Sequence, residues 1–177
     1  SRARSVMKAL YTNKAYATHL KKRGNKQSIM LGFSDSTKDG GYLMANWSIY
    51  KAKIELTALA REYDVDLVFF DGRGGPPARG GGKTQRFYAA MGGEIENKHI
   101  QLTIQGQTIS SQYGSLDTAQ YNIEQLLHAG LISEIKQNSS DTLTEKQKSV
   151  IDDMAAERHS KFMTLRNHPQ FLKYLEK

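Results

Sequence analysis

Apolar and polar positions along this chain repeat one order: a short apolar run, a polar segment, then a stretch with helical spacing. Over residues 4–22, Val6, Met7, Leu10, Tyr11, Tyr16 and Leu20 recur near helical spacing, and Lys21-Lys22-Arg23 before Gly24 predicts the end of a first helix. Residues 28–33 form a short apolar run that enters Ser34-Asp35-Ser36 and then Lys38-Asp39-Gly40-Gly41, the pattern of a buried strand feeding a polar loop. A long helix is predicted over 42–63, where Leu43, Trp47, Tyr50, Ile54 and Ala58 form one stripe. Ile49, Ala52, Leu56 and Leu59 widen that stripe enough to require burial on more than one side. The strand theme returns at 66–70, where Leu67-Val68-Phe69-Phe70 runs into Asp71-Gly72-Arg73-Gly74-Gly75. Farther on, the spacing predicts a short helix over 84–91, a third strand over 100–104 and a helix over 117–128 ended by Gly130. A long helix over 142–165 and a final one from Phe171, after Pro169, complete the chain.

This alternation argues for parallel strands joined by helical crossovers, a helix-rich α/β architecture in which chemistry collects at the carboxyl ends of strands. Both conspicuous polar segments follow a predicted strand. A length of 177 residues suits one domain. The hydrophobic share of 38% with 24% charged residues excludes a disordered tail, and no apolar run approaches the roughly 20 residues that span a bilayer. The sequence holds no cysteine, which excludes a disulfide framework, a thiolate zinc cluster and a cysteine nucleophile, and a reducing cytoplasm is the expected setting. No apolar stretch follows the basic residues 1–8 as a secretory signal would require, and a start at Ser1 rather than Met fits a processed or excised piece.

The net charge of +7 changes the picture less than it first suggests. Arg2, Arg4, Lys8, Lys14, Lys21, Lys22, Arg23 and Lys26 stand in residues 1–34 with no acid among them, and the rest of the chain sets 17 basic against 18 acidic residues. A local excess of this kind suits a phosphate-binding arm or a surface helix whose acidic partners lie elsewhere. Nucleic acid and membrane are not expected partners.

The glycine-rich segment after the second strand carries Arg73 and Arg79, with Gly74, Gly75, Gly80 and Gly81 where backbone must approach a ligand closely. Arginine offers a planar fork of donors that matches phosphate and carboxylate, so the segment reads as an anion clamp. Gly82-Lys83-Thr84 imitates the end of an NTPase phosphate loop. Pro77 stands where that loop needs its first glycine, and proline has no N–H to donate. The Arg-Gly pairs are one short copy between predicted elements, unlike the long repeats that bind RNA. In the earlier polar segment, Asp35 and Lys38 stand among hydroxyls at a strand end. One carboxylate with substrate oxygens can hold a hard cation such as Mg²⁺, and the same residues also make an ordinary solvated turn. His19, His99, His128, His159 and His168 show no metal-ligand spacing, and His128 reads as a helix cap or packed residue.

Taken together, Met30-Leu-Gly-Phe-Ser-Asp-Ser-Thr-Lys-Asp-Gly-Gly41 and Phe70-Asp-Gly-Arg-Gly-Gly75 followed by Arg79-Gly-Gly-Gly82 resemble phosphoenolpyruvate carboxylase, whose motifs are M-x-G-[YF]-S-D-S-x-K-D-x-G and F-H-G-R-G-G-x-x-x-R-G-G. The resemblance continues through Thr103-Ile-Gln-Gly-Gln107 and Tyr113-Gly114 to Pro169-Gln-Phe-Leu-Lys-Tyr174, and so covers essentially the whole chain. It implies an internal piece of a much longer enzyme, with residues 1–177 a single fragment of the catalytic barrel region. About three strands of a larger eight-stranded (β/α) barrel would then be present. The reaction implied is carboxylation of phosphoenolpyruvate by bicarbonate to oxaloacetate and phosphate, with Mg²⁺ or Mn²⁺, in a cytoplasmic enzyme that is a homo-tetramer when full-length.

By position, the resemblance makes Asp35 a metal ligand, Lys38 a catalytic lysine beside it, and Arg73 and Arg79 the catalytic and substrate-gripping arginines, with Gly74, Gly75, Gly80 and Gly81 lining the substrate. A second metal carboxylate, a glutamate upstream of the first motif in the family, has no counterpart, because residues 1–34 contain no acid. Asp71 stands at the family's histidine position and is also a catalytic candidate, Ala78 replaces a glycine, Lys83 a small residue or proline, and Gln107 a glutamate. If the arginines clamp phosphate, a carboxylate beside that anion must be neutralised by pairing or turned aside, and the simplest arrangement pairs Asp71 with an arginine or with backbone N–H groups of the loop. The alternative from another class is a non-catalytic domain that keeps the anion clamp for a phosphorylated or acidic metabolite.

Overall fold

The structure is a computed structural model that describes residues 2–72, 83–136 and 142–176. The described residues form α1 (Ala3–Thr12), α2 (Lys14–Lys22), β1 (Lys26–Gly32), α3 (Phe33–Gly40), α4 (Tyr42–Glu62), β2 (Asp66–Gly72), α5 (Thr84–Ala89), β3 (Ile100–Leu102), α6 (Gly106–Tyr113), α7 (Leu116–Lys136), α8 (Glu145–Arg166) and α9 (Phe171–Leu175). Among them the strands make one open sheet in the order β1-β2-β3, parallel throughout. The helix-rich α/β reading is met, with three parallel strands.

The core lies between this sheet and α4. Leu67, Val68 and Phe69 of β2 are buried on both faces, as the middle strand of a covered parallel sheet requires. Helix α4 buries Trp47, Ile49, Ala52, Leu56, Leu59 and Ala60, more than one narrow face, as the broad apolar pattern predicts. Tyr11 of α1 and Leu20 of α2 close the same core from the amino-terminal side. Burial pushes the Tyr11 hydroxyl pKa up to about 12, with the nearby Tyr16 adding to the shift.

Several boundaries differ from the sequence reading. The single helix expected over 4–22 is two, because the Asn13 side chain accepts hydrogen bonds from the backbone N–H groups of Ala15 (3.0 Å) and Tyr16 (3.2 Å) and starts α2 afresh. Gly130 does not end α7, which runs on to Lys136, so His128 lies inside the helix and caps nothing. A glycine inside a helix costs about 1 kcal/mol relative to alanine. Packing of α7 on α5, with Ala129 buried, offsets that cost. The third strand is shorter than expected, and α6 forms where no element was foreseen.

Helix α8 begins with a reciprocal cap: Thr144 Oγ1 accepts from the Gln147 N–H, and Gln147 Oε1 accepts from the Thr144 N–H. It docks across α4 through Asp152, which accepts from Trp47 Nε1–H at 2.7 Å and pairs with Lys51. On α7, by contrast, Leu116, Ile123, Leu127, Leu131 and Ile135 remain exposed. Within the basic amino-terminal segment, Arg4 pairs with Glu62 and Lys26 lies 3.9 Å from Asp66, so part of the positive charge meets acids elsewhere in the chain. Among the described residues no helix is long and apolar enough to cross a membrane.

Candidate active site

Strand register brings the two motifs to one edge. Gly32 and Gly72, the last residues of β1 and β2, are register partners, so the two strands end side by side at the carboxyl edge of the sheet. The approach is close: a Cβ on Gly72 would lie 3.0 Å from the Leu31 carbonyl oxygen and 3.2 Å from Met30 Cε. Glycine is therefore required there by contact rather than by backbone angle.

The segment after β1 is helix α3, not the loop expected. Phe33 is buried beneath its first turn, Ser36 Oγ donates to the Gly32 carbonyl (2.6 Å) and Thr37 Oγ1 to that of Phe33 (2.8 Å). These side-chain bonds run with the helix, and Asp35 in the first turn with Lys38 in the last complements its dipole. Gly41 ends the segment at φ +77°, where a Cβ would also meet the Phe162 ring at 3.2 Å. Helix α8 supports this turn: His159 Nδ1 lies 3.1 Å from the Gly40 carbonyl oxygen, and Arg166 donates to the carbonyls of Lys38 and Asp39, each at 3.3 Å.

Asp35 and Lys38 therefore project from a fixed short helix, with their charged atoms 3.7 Å apart and their side chains 86% and 73% exposed. As a donor set, this position offers a hard cation one carboxylate, with the rest of its oxygen shell left to water, substrate or other groups. Among the described residues no three Asp, Glu or His side chains gather where they could share a metal. The chemistry of Asp35 fits Mg²⁺ or Mn²⁺ as a single ligand.

Asp71 differs in every respect. It belongs to β2, not to a loop, and at 1% exposure it faces the core. The Lys53 ammonium, 2% exposed, donates to Asp71 Oδ2 at 2.8 Å and lies 2.8 Å from Oδ1 as well. Tyr88 of α5 donates its hydroxyl proton to the same Oδ2 at 2.8 Å. Oδ1 takes only the ionic contact and accepts no hydrogen bond among the described residues. Asp71 is neutralised as expected, but by a lysine from α4 and a tyrosine. The Lys53 Nζ also sits 5.1 Å from the Phe69 ring centre and 5.5 Å from that of Phe87, whose edge contact with Phe33 reaches the start of α3.

Arg73, Arg79, Gly74, Gly75, Gly80 and Gly81 lie outside the described residues, as does Ala78. Lys83 precedes α5 and Gln107 lies exposed in α6. An apolar cavity of about 430 Å³ between α4 and α8 is lined by Trp47, Tyr50, Phe87 and Met91, and among the described residues its cationic lining is Lys53, which is paired with Asp71. Lys53 and Tyr88 were not singled out from the sequence. Their signal was available: Lys53 stands on the buried face of α4 between Ile49 and Leu56, and Asp71 shares a strand face with Leu67 and Phe69. A lysine and an aspartate both committed to a core must be paired.

The family model described as phosphoenolpyruvate carboxylase matches residues 1–177. The chain belongs to the phosphoenolpyruvate carboxylase family. Among curated relatives, the phosphoenolpyruvate carboxylase of Corynebacterium diphtheriae is 33% identical over 170 residues, which cover 96% of this chain and 19% of that protein. The corresponding protein of Mycobacterium leprae is 35% identical over 173 residues, 97% of this chain and 18% of its own length. That of Rhodothermus marinus is 36% identical over 174 residues, with 96% and 18% covered. This chain thus spans less than a fifth of the length of these phosphoenolpyruvate carboxylases.

Proposed function

We propose that the full-length protein carboxylates phosphoenolpyruvate with bicarbonate, giving oxaloacetate and phosphate, and that residues 1–177 are a piece of its catalytic barrel. The observation that carries this reading is the pairing of Gly32 with Gly72, which ends β1 and β2 side by side, with the Asp35-Lys38 helix leaving that edge and Arg73 next to Gly72 in sequence. A reaction between two anions in which a phosphoryl group departs needs fixed cations around that group and a counter-charge where an enolate develops. Lys38 would offset the substrate carboxylate or bicarbonate, and Arg73 and Arg79 would grip phosphoryl oxygens with paired N–H donors. Gly74, Gly75, Gly80 and Gly81 would let the backbone close on the substrate. Asp35 would hold Mg²⁺ or Mn²⁺, which when bound supplies Lewis-acid stabilisation of developing negative charge. The rest of the barrel, the second metal carboxylate and the contacts of a cytoplasmic tetramer would come from the remainder of the polypeptide and its copies.

A second reading, a non-catalytic domain that binds a phosphorylated or acidic metabolite, is favoured by one observation: Asp71, at the family's histidine position, is buried and paired. One experiment separates the two. The complete gene product is supplied with phosphoenolpyruvate, bicarbonate and Mg²⁺, and oxaloacetate and bound phosphoenolpyruvate are both measured. Bicarbonate-dependent oxaloacetate supports the enzyme, binding without product supports the anion-binding domain, and neither result leaves both readings wrong.

A further inference from the structure

Asp71 sits one residue before the end of β2, its backbone carbonyl accepts the Thr103 N–H (3.1 Å) at the β2–β3 edge, and its side chain is closed off from solvent. Three elements meet at that carboxylate: Lys53 from α4, Tyr88 from α5, and β2 itself. The same ammonium faces the Phe87 ring, against which Phe33 packs two residues before Asp35. One buried network therefore joins the end of β2 to the start of α3.

We propose that Lys53 and Tyr88 are positioning residues, which hold Asp71 as an internal anion so that the carboxyl edge of the sheet, and with it Asp35, is kept in fixed register, and that Asp71 itself does not touch substrate. Three facts support this assignment. A carboxylate that receives an ammonium and a phenol proton at 2.8 Å, at 1% exposure, has no face turned to a soluble anion. The pair joins residues 18 apart in sequence, one on α4 and one on β2, so it fixes how α4 lies over β2 and not merely how one turn is shaped. A carboxylate buried this deeply is also tolerated only when its charge is cancelled, which Lys53 does. A displacement of about 1 Å at a site of this kind costs on the order of 100-fold in rate.

For its kinetic arm the proposal rests on the carboxylase reading, so the test carries a second, activity-independent arm. In the full-length protein, K53M, Y88F and the double variant K53M/D71N are compared for phosphoenolpyruvate KM and kcat and for hydrogen exchange over residues 100–105, with residues 3–12 as an internal control. K53M is expected to raise KM about tenfold or more and to speed exchange over 100–105 while 3–12 stays unchanged. Y88F should shift both in the same direction by less. K53M/D71N, with neither charge left buried, should regain most of the loss, which a lost substrate contact would not do. If K53M does not fold, Y88F alone decides by the same two readouts. Wild-type KM and wild-type exchange in a folded K53M or Y88F would overturn the proposal, and so would a D71N variant that lost kcat with KM and exchange untouched. If the wild-type protein makes no oxaloacetate, the carboxylase reading fails by itself, and the exchange arm still decides whether Lys53 and Tyr88 brace the edge.

Discussion

Two aspartates beside the same sheet edge, each with a lysine partner, have opposite characters. Asp35 and Lys38 stand in water at 3.7 Å, whereas Asp71 and Lys53 lie in the core at 2.8 Å with a tyrosine attached. A solvated pair contributes about 0–1 kcal/mol to stability and keeps its oxygens available. In a buried pair, removal of either partner strands a charge, and its oxygens are no longer available to a ligand. The difference teaches that adjacency of acid and base in a motif says little about role: burial, set by which strand or helix face each residue occupies, decides whether the pair meets ligand or supports the fold.

The comparison can be broken most severely by isolation. Purified residues 1–177 alone should form no oxaloacetate, because one open carboxylate cannot replace a cooperative site whose other members lie elsewhere. Turnover by a preparation free of host enzyme would show that Asp35 needs no partner carboxylate. Next in size, Asp71→Asn in the full-length protein should cost about 3–5 kcal/mol, since the buried Lys53 ammonium loses its carboxylate partner. Denaturation midpoints test this, and an Asp71→Asn protein as stable as wild type would mean that the pair is not buried in solution. Asp35→Asn sharpens the contrast from the other side. Its stability should stay within about 0.5 kcal/mol of wild type. The Mg²⁺ or Mn²⁺ concentration needed for half-maximal activity should rise, and unchanged metal dependence would remove Asp35 as a ligand.

The smallest effect belongs to a third aspartate, Asp152. Its hydrogen bonds from Lys51 and then Trp47 hold its pKa below the ordinary value of 3.8. A carboxyl depressed in the folded state contributes stability above its unfolded value, near 3.8, which is lost as pH falls through the lower folded value. The stability gap between wild type and Asp152→Asn should therefore be constant at neutral pH and narrow in acid below about pH 4. A gap that widened in acid would contradict the assignment.

Much of this was legible in the residues. The parallel order of β1, β2 and β3, the long buried α4 and the convergence of two motifs on strand ends follow from apolar runs alternating with helical spacing. What was not legible depended on contacts between distant positions. Ser34 to Asp39 looks polar enough for a loop, yet Phe33 anchors it below and α8 braces it from 120 residues away, so it closes into α3. Asn13 reads as an ordinary helical position until its side chain competes for backbone N–H groups. The Lys53–Asp71 pair was visible in principle, since each residue occupies a core-facing position of its own element, but only the packing of α4 on β2 shows that the two positions coincide.

The exposed ladder on α7 has a practical consequence. Leu116, Ile123, Leu127, Leu131 and Ile135 line up without cover on a helix that otherwise docks well on α5. Apolar ridges of this size on a free surface attract one another at working concentrations. A preparation of these 177 residues should thus behave as a sticky solute whose light scattering climbs with concentration and with added sulfate, which strengthens apolar association. Polar replacements at the exposed Leu127 and Leu131 would clear such a solution.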